Sequence, residues 1–301
     1  MASVSAGNIV PRSGRPRELE DPLNLLVYHP LAARLARLLV PTGISPNAVS
    51  VMGLTALCAA TWAFVGTAWP TNALIGLFFL LIWHVVDGAD GDLARMTGRT
   101  SATGELVDGV CDYLGNTIMY FAFGFLLDDT LGATAWVLAV AAGASHIVQT
   151  NHAETHRRLY LWRAYGVPWL RNAAESGDAL FRRESWFSRL FGFWAVGYVW
   201  LSELTSPSSN PIDAALTEAA GDPRESHRIR AMVRRASRTS LILQKGLGAN
   251  PKTFIITAAV ALGSPVYYFL TTLVVLNLWL AVSILHHKRV DARLAEALNR
   301  N

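Results

Sequence analysis

Charge is scarce in this chain, and so is cysteine. Of its 301 residues only 16% are Asp, Glu, Lys or Arg, where a soluble domain carries about a quarter. Apolar residues make up the difference at 52% of the total, with a mean hydropathy of +0.30. They gather in runs, which argues against a large water-soluble core and for an integral membrane protein. The two cysteines, Cys58 and Cys111, lie in or beside such runs. Neither has a partner at metal-ligand spacing, so they supply neither a disulfide framework nor a zinc site; Cys111 reads as a small helix-packing residue. The opening stretch, MASVSAGNIVPRSGRPRELED, is basic in places but is followed by no apolar region with a cleavage site. It is expected to be a disordered cytosolic tail rather than a removed signal. Internal repeats and low-complexity segments are absent, the net charge is only +4, and no nucleic-acid partner is expected.

What is present is a series of helices. Residues 22–43, PLNLLVYHPLAARLARLLVPTG, carry an apolar stripe interrupted by Arg34 and Arg37, the pattern of a short helix lying in the membrane interface with its arginines toward phosphates. Ser45-Pro46-Asn47 opens the first spanning run, which reaches Trp69. Ser45 can cap it and Pro46 suits the first helical turn. A second run begins at Ala73 and continues to Arg95; residues 98–103 form a polar connection; a third helix runs from Gly104 to Leu127; residues 128–130 turn the chain; and a fourth span covers Leu131 to Thr150. Thr253–Leu262 and Val266–Leu285 supply the fifth and sixth. The aromatic run from Trp186 to Leu204 reads as interfacial or re-entrant.

The expected fold is therefore all-α, an integral membrane protein with six transmembrane helices and an N-terminal interfacial amphipathic helix. Its parts are a tail at 1–21, the interfacial helix at 22–43, a catalytic transmembrane core at 44–152, a cytosolic or interfacial insertion at 153–250, and two spans with a cytosolic C-terminus at 251–301. Lys and Arg occupy the two ends, residues 95–99 and residues 157–252, and are missing from 70–72, 128–130 and 263–265. That positive-inside bias places both termini on the cytosolic side.

One stretch, DGADGDLARMTGRTSATGELVDGVCD from Asp87 to Asp112, sits at that cytosolic boundary. Carboxylates beside hydrocarbon are costly to hold and mark function by default. Asp87 and Asp90 stand i,i+3 and Asp108 and Asp112 stand i,i+4, so each pair shares one helix face, and two facing acid pairs suit a hard divalent cation. Gly91 and Ala94 lie a turn from the first pair and Gly104 a turn before Asp108, leaving helix surface bare for a close approach. Arg95 at the helix end can clamp a phosphate. Acids, small residues and an arginine together point to the handling of a pyrophosphate.

The pattern Asp87-x2-Asp90-Gly91-x2-Ala94-Arg95-x8-Gly104-x3-Asp108-x3-Asp112 resembles the signature of the CDP-alcohol phosphotransferase family at every motif position, and the likeness extends to Pro46-Asn47. It covers residues 22–152 well and 160–250 poorly. The resemblance implies a six-helix membrane fold, a homodimer, and a cytosol-facing site for Mg²⁺ or Mn²⁺, in two ions. Asp87, Asp90 and Asp108 would be metal ligands, and Asp112 a ligand and general base. Gly91, Ala94, Arg95 and Gly104 would line the CDP site. The implied reaction is attack of an acceptor hydroxyl on the β-phosphorus of a CDP-linked alcohol with release of CMP. CDP-diacylglycerol with a polar alcohol acceptor is the favoured pair. GELVDGVCD also resembles the matching segment of choline and ethanolamine phosphotransferases, which keeps a small CDP-alcohol donor and a lipid acceptor open. An intramembrane prenyltransferase and a cation-coupled transporter are the competing classes. Ser145, His146, Gln149, His152 and His156, followed by Arg157 and Arg158, suit either a polar, phosphorylated acceptor or plain interhelical contacts. The arginines between 224 and 238 suit acidic lipid headgroups or topology.

Overall fold

A computed structural model describes residues 16–168, 186–206 and 210–300, and every regular element among them is helical. Residues 16–21, the end of the stretch expected as a tail, dock onto the helices. Leu19 is buried, Glu18 accepts from the hydroxyls of Tyr160 (3.1 Å) and Tyr165, and Lys245 Nζ donates to the Glu20 carbonyl (3.0 Å). A helical stretch follows, wound as a π-helix over Asn24–Tyr28 and continuing as α1, His29–Leu39. Its small residues Ala32 and Ala36 are buried with Val86, Ala89 and Leu93, while Leu26 and Leu38 stay exposed.

Helix α2, Pro46–Gly66, starts where its sequence signals it: the Ser45 hydroxyl accepts from the Ala48 N–H at 3.2 Å and Pro46 occupies the first turn. Helix α3, Thr71–Thr97, stops at Gly98, whose φ of +66° favours glycine. Helix α4, Ala102–Leu131, begins on Ser101, whose hydroxyl accepts from the Gly104 N–H at 3.0 Å, so it starts ahead of Gly104. It also runs through residues 128–130, which the sequence marks as a turn. There Thr130 Oγ1 bonds back to the Leu127 carbonyl (3.0 Å), Asp128 accepts from Trp136 Nε1 (2.9 Å), and the chain reverses instead at Gly132.

Helix α5, Ala133–Tyr165, has 33 residues. At 1.5 Å per residue it is about 50 Å long, longer than a hydrocarbon core of about 30 Å. Arg230 donates to the Trp162 carbonyl at 2.8 Å and Arg234 to that of Ala164 at 3.0 Å. Two of the arginines read as serving headgroups or topology thus cap the C-terminus of α5, where the helix dipole favours cations. The chain continues as α6 (Trp186–Thr205), α7 (Pro211–Glu218), α8 (Pro223–Ala236), α9 (Arg238–Lys245), α10 (Ala249–Ala261) and α11 (Val266–Asn299).

Among the described residues, α2, α3, α4 and α11 are long and apolar enough to cross a membrane, as an integral membrane protein requires. Helix α10 has 13 residues, short of the roughly 20 a crossing takes, and Ser145, His146 and Gln149 interrupt the apolar part of α5. The main core gathers Leu57, Phe64, Trp83, Phe123 and Phe269 between these helices. A second core, with Leu161, Ile212, Ile229, Val233 and Leu241, joins the polar half of α5 to α7, α8 and α9. Arg163 ties it together through ion pairs to Asp213 (2.8 Å) and Asp291 (3.1 Å).

Contact between α2 and α4 depends on Gly115. A Cβ there would lie 2.5 Å from Leu57 Cδ1 and 2.9 Å from Leu57 Cβ. Gly115→Ala should therefore cost about 1–3 kcal/mol by overpacking and lower the melting temperature in detergent. Gly221→Ala, whose added carbon meets nothing within 4 Å, should leave it unchanged; equal melting temperatures for both variants would contradict this packing.

Candidate active site

The short connection between α3 and α4 returns the chain along itself, so the last turns of α3 face the first turns of α4. A carboxylate oxygen from each of Asp87, Asp108 and Asp112 lies within 4.8 Å of the others. Two like charges at that distance repel by roughly 3.5 kcal/mol at an effective dielectric near 20. Three such pairs exceed what a few hydrogen bonds offset, so the cluster is relieved either by protons or by a bound cation. All-oxygen donors select a hard ion such as Mg²⁺ or Mn²⁺, and these residues fit one. Asp90, a turn beyond Asp87, is buried and accepts from Ser50 Oγ at 2.6 Å. Asp112 accepts from Trp83 Nε1 at 3.0 Å, and Asn116 donates to its backbone carbonyl at 2.8 Å. Ser50 and Trp83, as neutral donors, orient their carboxylates without competing for the cation.

The three acids open into a cavity of about 470 Å³. Its far wall carries Thr150, Glu154, Arg157 and Arg158 from α5 and Lys252 from α10. Lys252 is buried, and its Nζ donates to Thr150 Oγ1 at 2.7 Å. Glu154 holds Arg157 at 2.7 Å and Arg158 at 2.6 Å, and Arg158 reaches across to Glu105 of α4 at 3.1 Å. The cavity thus holds, beside the acids, two arginines already paired with Glu154 and Glu105, a buried lysine, and apolar Leu57, Leu80, Met119 and Ile256.

Of the residues singled out in the sequence, Asp87, Asp108 and Asp112 converge on the cavity, and Asp90 stands behind them on Ser50. Gly91, Ala94, Arg95 and Gly104 are not among its lining residues. Arg95 pairs with Asp92 at 2.5 Å and covers the bare face of Gly91, where a Cβ would lie 3.4 Å from its guanidinium. Gly104 abuts the N-terminus of α2, its absent Cβ 3.6 Å from Asn47 Oδ1. The polar stripe of α5 divides. Gln149 donates to the Thr272 carbonyl (3.0 Å) and Asn277 (2.8 Å), and Asn277 donates to Ser145 (3.0 Å); these are interhelical contacts to α11. Arg157 and Arg158 line the cavity.

Sequence reasoning missed Ser50, Trp83, Glu105, Glu154 and Lys252. Trp83 precedes Asp87 by four residues and Glu105 precedes Asp108 by three, so helical spacing from the acids carried a signal for both. Lys252 carried none, since it reads as one more basic residue of a loop.

Residues 43–165, from just before α2 to the end of α5, match the family model described as CDP-alcohol phosphatidyltransferase. Over this stretch the chain is similar to CDP-alcohol phosphatidyltransferases. Similar proteins include the archaetidylinositol phosphate synthase of Pyrococcus horikoshii, 28% identical over 88 residues, which are 29% of this chain and 45% of that protein. The inner membrane protein YnjF of Escherichia coli is 29% identical over 143 residues, 44% of this chain and 67% of that protein. The match to the archaeal protein thus spans under half of that relative's length.

Removing an orienting donor should weaken the cation without removing a ligand. Ser50→Ala and Trp83→Phe should each lower Mn²⁺ affinity about 10–100-fold, measured by electron paramagnetic resonance of free Mn²⁺ in detergent. Asp108→Asn should lower it further; affinities equal to the wild type in all three variants would rule out this cluster as the cation site.

Proposed function

We propose that the protein is a phosphotransferase of phospholipid synthesis. It would move a phosphatidyl group from a CDP-alcohol, CDP-diacylglycerol by preference, to the hydroxyl of a polar acceptor, releasing CMP. The observation that carries the reading is the meeting of Asp87, Asp108 and Asp112 at one cavity wall within the stretch similar to CDP-alcohol phosphatidyltransferases. Asp87, Asp90, Asp108 and Asp112 would hold Mg²⁺ or Mn²⁺, two ions in the full site. Bound there, the metal supplies charge neutralisation of the pyrophosphate and of the leaving CMP oxygen. Asp112 would take the acceptor's proton as general base, its carboxylate aimed by Trp83. The acceptor oxygen then bonds to the β-phosphorus while the bond to CMP breaks. Gly91, Ala94, Arg95 and Gly104, next to the acids in sequence, would receive the nucleotide, with Arg95 leaving Asp92 for a phosphate.

The opposite wall bears on the acceptor. Arg157 and Arg158 would turn from Glu154 and Glu105 to the phosphate of a phosphorylated polyol, beside buried Lys252; the archaeal relative's name, a synthase of archaetidylinositol phosphate, agrees with that class. Helices α5 and α10 would complete six spans with α2, α3, α4 and α11. The exposed Leu26 and Leu38 of the α1 region would lie in the lipid interface. The distribution of Lys and Arg supports a site and termini facing the cytosol, and a homodimer is the assembly the family resemblance implies.

The test is CMP release by the purified protein with Mg²⁺ or Mn²⁺, CDP-diacylglycerol and a panel of inositol phosphate, glycerol phosphate, inositol, serine and choline. Metal-dependent CMP release is expected, highest with a phosphorylated acceptor, and Asp112→Asn should lower the rate about 10²–10⁴-fold. No metal-dependent CMP with any acceptor, or an Asp112→Asn enzyme as fast as the wild type, would sink the reading.

A further inference from the structure

Helix α5 has a second polar face that the cavity does not use. Thr150, Glu154, Arg157 and Arg158 line the cavity, whereas His152 and His156, one turn apart, meet His287 of α11. All three imidazoles are buried. The ring centroids lie 4.4 Å apart for His152 and His156, 3.6 Å for His156 and His287, and 5.5 Å for His152 and His287. One ring nitrogen from each lies within 4.8 Å of the others. The centre of an equilateral triangle of that side is about 2.8 Å from each corner, against a Zn–N bond of about 2.1 Å, so a shift of under an ångström per ring closes the gap.

We propose that His152, His156 and His287 form a second metal site, built for a borderline divalent ion of the zinc class and distinct from the acidic cluster.

The hydrogen bonds sort the ring nitrogens into outer and inner sets. His287 Nδ1 lies 2.8 Å from the Ser283 carbonyl, which can only accept, so Nδ1 carries the proton and Nε2 keeps its lone pair. His152 Nε2 lies 2.9 Å from Ser283 Oγ, and its Nδ1 is buried with no hydrogen-bond partner among the described residues. Metal-binding imidazoles characteristically donate their remote N–H to a carbonyl or other acceptor, which fixes the tautomer and aims the lone pair; Ser283 supplies both acceptors. Nitrogen donors in this number suit Zn²⁺ and its first-row neighbours and do not suit Mg²⁺ or Ca²⁺.

A fourth ligand has a place. A cavity of about 30 Å³ adjoins His156 and His287 and is lined by Ser240 and Gln244 of α9. Ser240 Oγ and Gln244 Oε1 are buried with no hydrogen-bond partner among the described residues. The space holds one water, and both oxygens can accept from a metal-bound water. Three imidazoles and a water complete the tetrahedral set zinc prefers. Arg163 lines the same cavity but is paired with Asp213 and Asp291, so its charge is already balanced against an incoming cation. The ion would pin α5 to α11 on the side opposite Arg157 and Arg158, acting as a structural clamp behind the cavity wall.

The test uses the full-length protein in detergent with excess Mg²⁺, which fills the acidic cluster with a hard ion. Elemental analysis should find about one Zn²⁺ per chain after dialysis. Exchange with Co²⁺ should give the intense visible absorption of a tetrahedral, nitrogen-ligated ion. His152→Asn and His287→Asn should each weaken Zn²⁺ at least tenfold, while Asp108→Asn retains it. The stoichiometry and the Co²⁺ spectrum need only the wild type, so an unfolded variant cannot rescue the idea. Wild-type protein that keeps no Zn²⁺, a Co²⁺ spectrum of octahedral all-oxygen type, or unchanged Zn²⁺ affinity in folded histidine variants would each overturn it.

Discussion

The structure depends on holding Asp87, Asp108 and Asp112 together at the end of an apolar bundle. Their mutual repulsion opposes the close return of α4 along α3, and the surrounding features can be read as the means of enforcing it. Ser101 caps α4 within a few residues of the end of α3, so the two helices have no slack to separate. Gly115 lets α2 press onto α4 just beyond Asp112. Ser50 and Trp83 then fix individual carboxylates with neutral donors. Neither donor carries charge, so compensation is left to protons or to a cation that displaces them.

Helix α5 is the second organising element. Its length carries it from the apolar core into the second core, where Arg163, Asp213 and Asp291 anchor it. One face presents Glu154, Arg157 and Arg158 to the cavity. Glu154 holds both arginines in fixed positions, and Arg158 bridges to Glu105 on α4, so the acids and the cationic wall are mechanically linked. The other face gives its polar side chains to α11 through Gln149, His152 and His156. A helix so divided needs support on both sides, and the C-terminal caps from Arg230 and Arg234 hold its free end.

Much of this was legible in the sequence because it is local. Helical spacing put the acids in pairs, Ser45-Pro46 marked the start of α2, and the signature carried its family with it. What was hidden depends on partners far along the chain. Glu18 reads as part of a loose basic tail until Tyr160 and Tyr165 meet it. Lys252 reads as a topology charge until Thr150 is beside it. The α5 stripe announced polar contacts but could not say that alternate positions would serve opposite neighbours. Asp128 and Asp129 mimic a turn, yet Trp136 satisfies Asp128 within the helix and Gly132 makes the reversal.

The proposed reaction requires that the three converging carboxylates hold the catalytic cation. Crystals grown with Mn²⁺ and a CDP-alcohol, measured at the manganese edge, test it most directly. An anomalous peak is expected between Asp87, Asp108 and Asp112, about 2.0–2.3 Å from their oxygens, with the pyrophosphate against it. Manganese bound elsewhere, with these three carboxylates unligated and the nucleotide away from them, would contradict it.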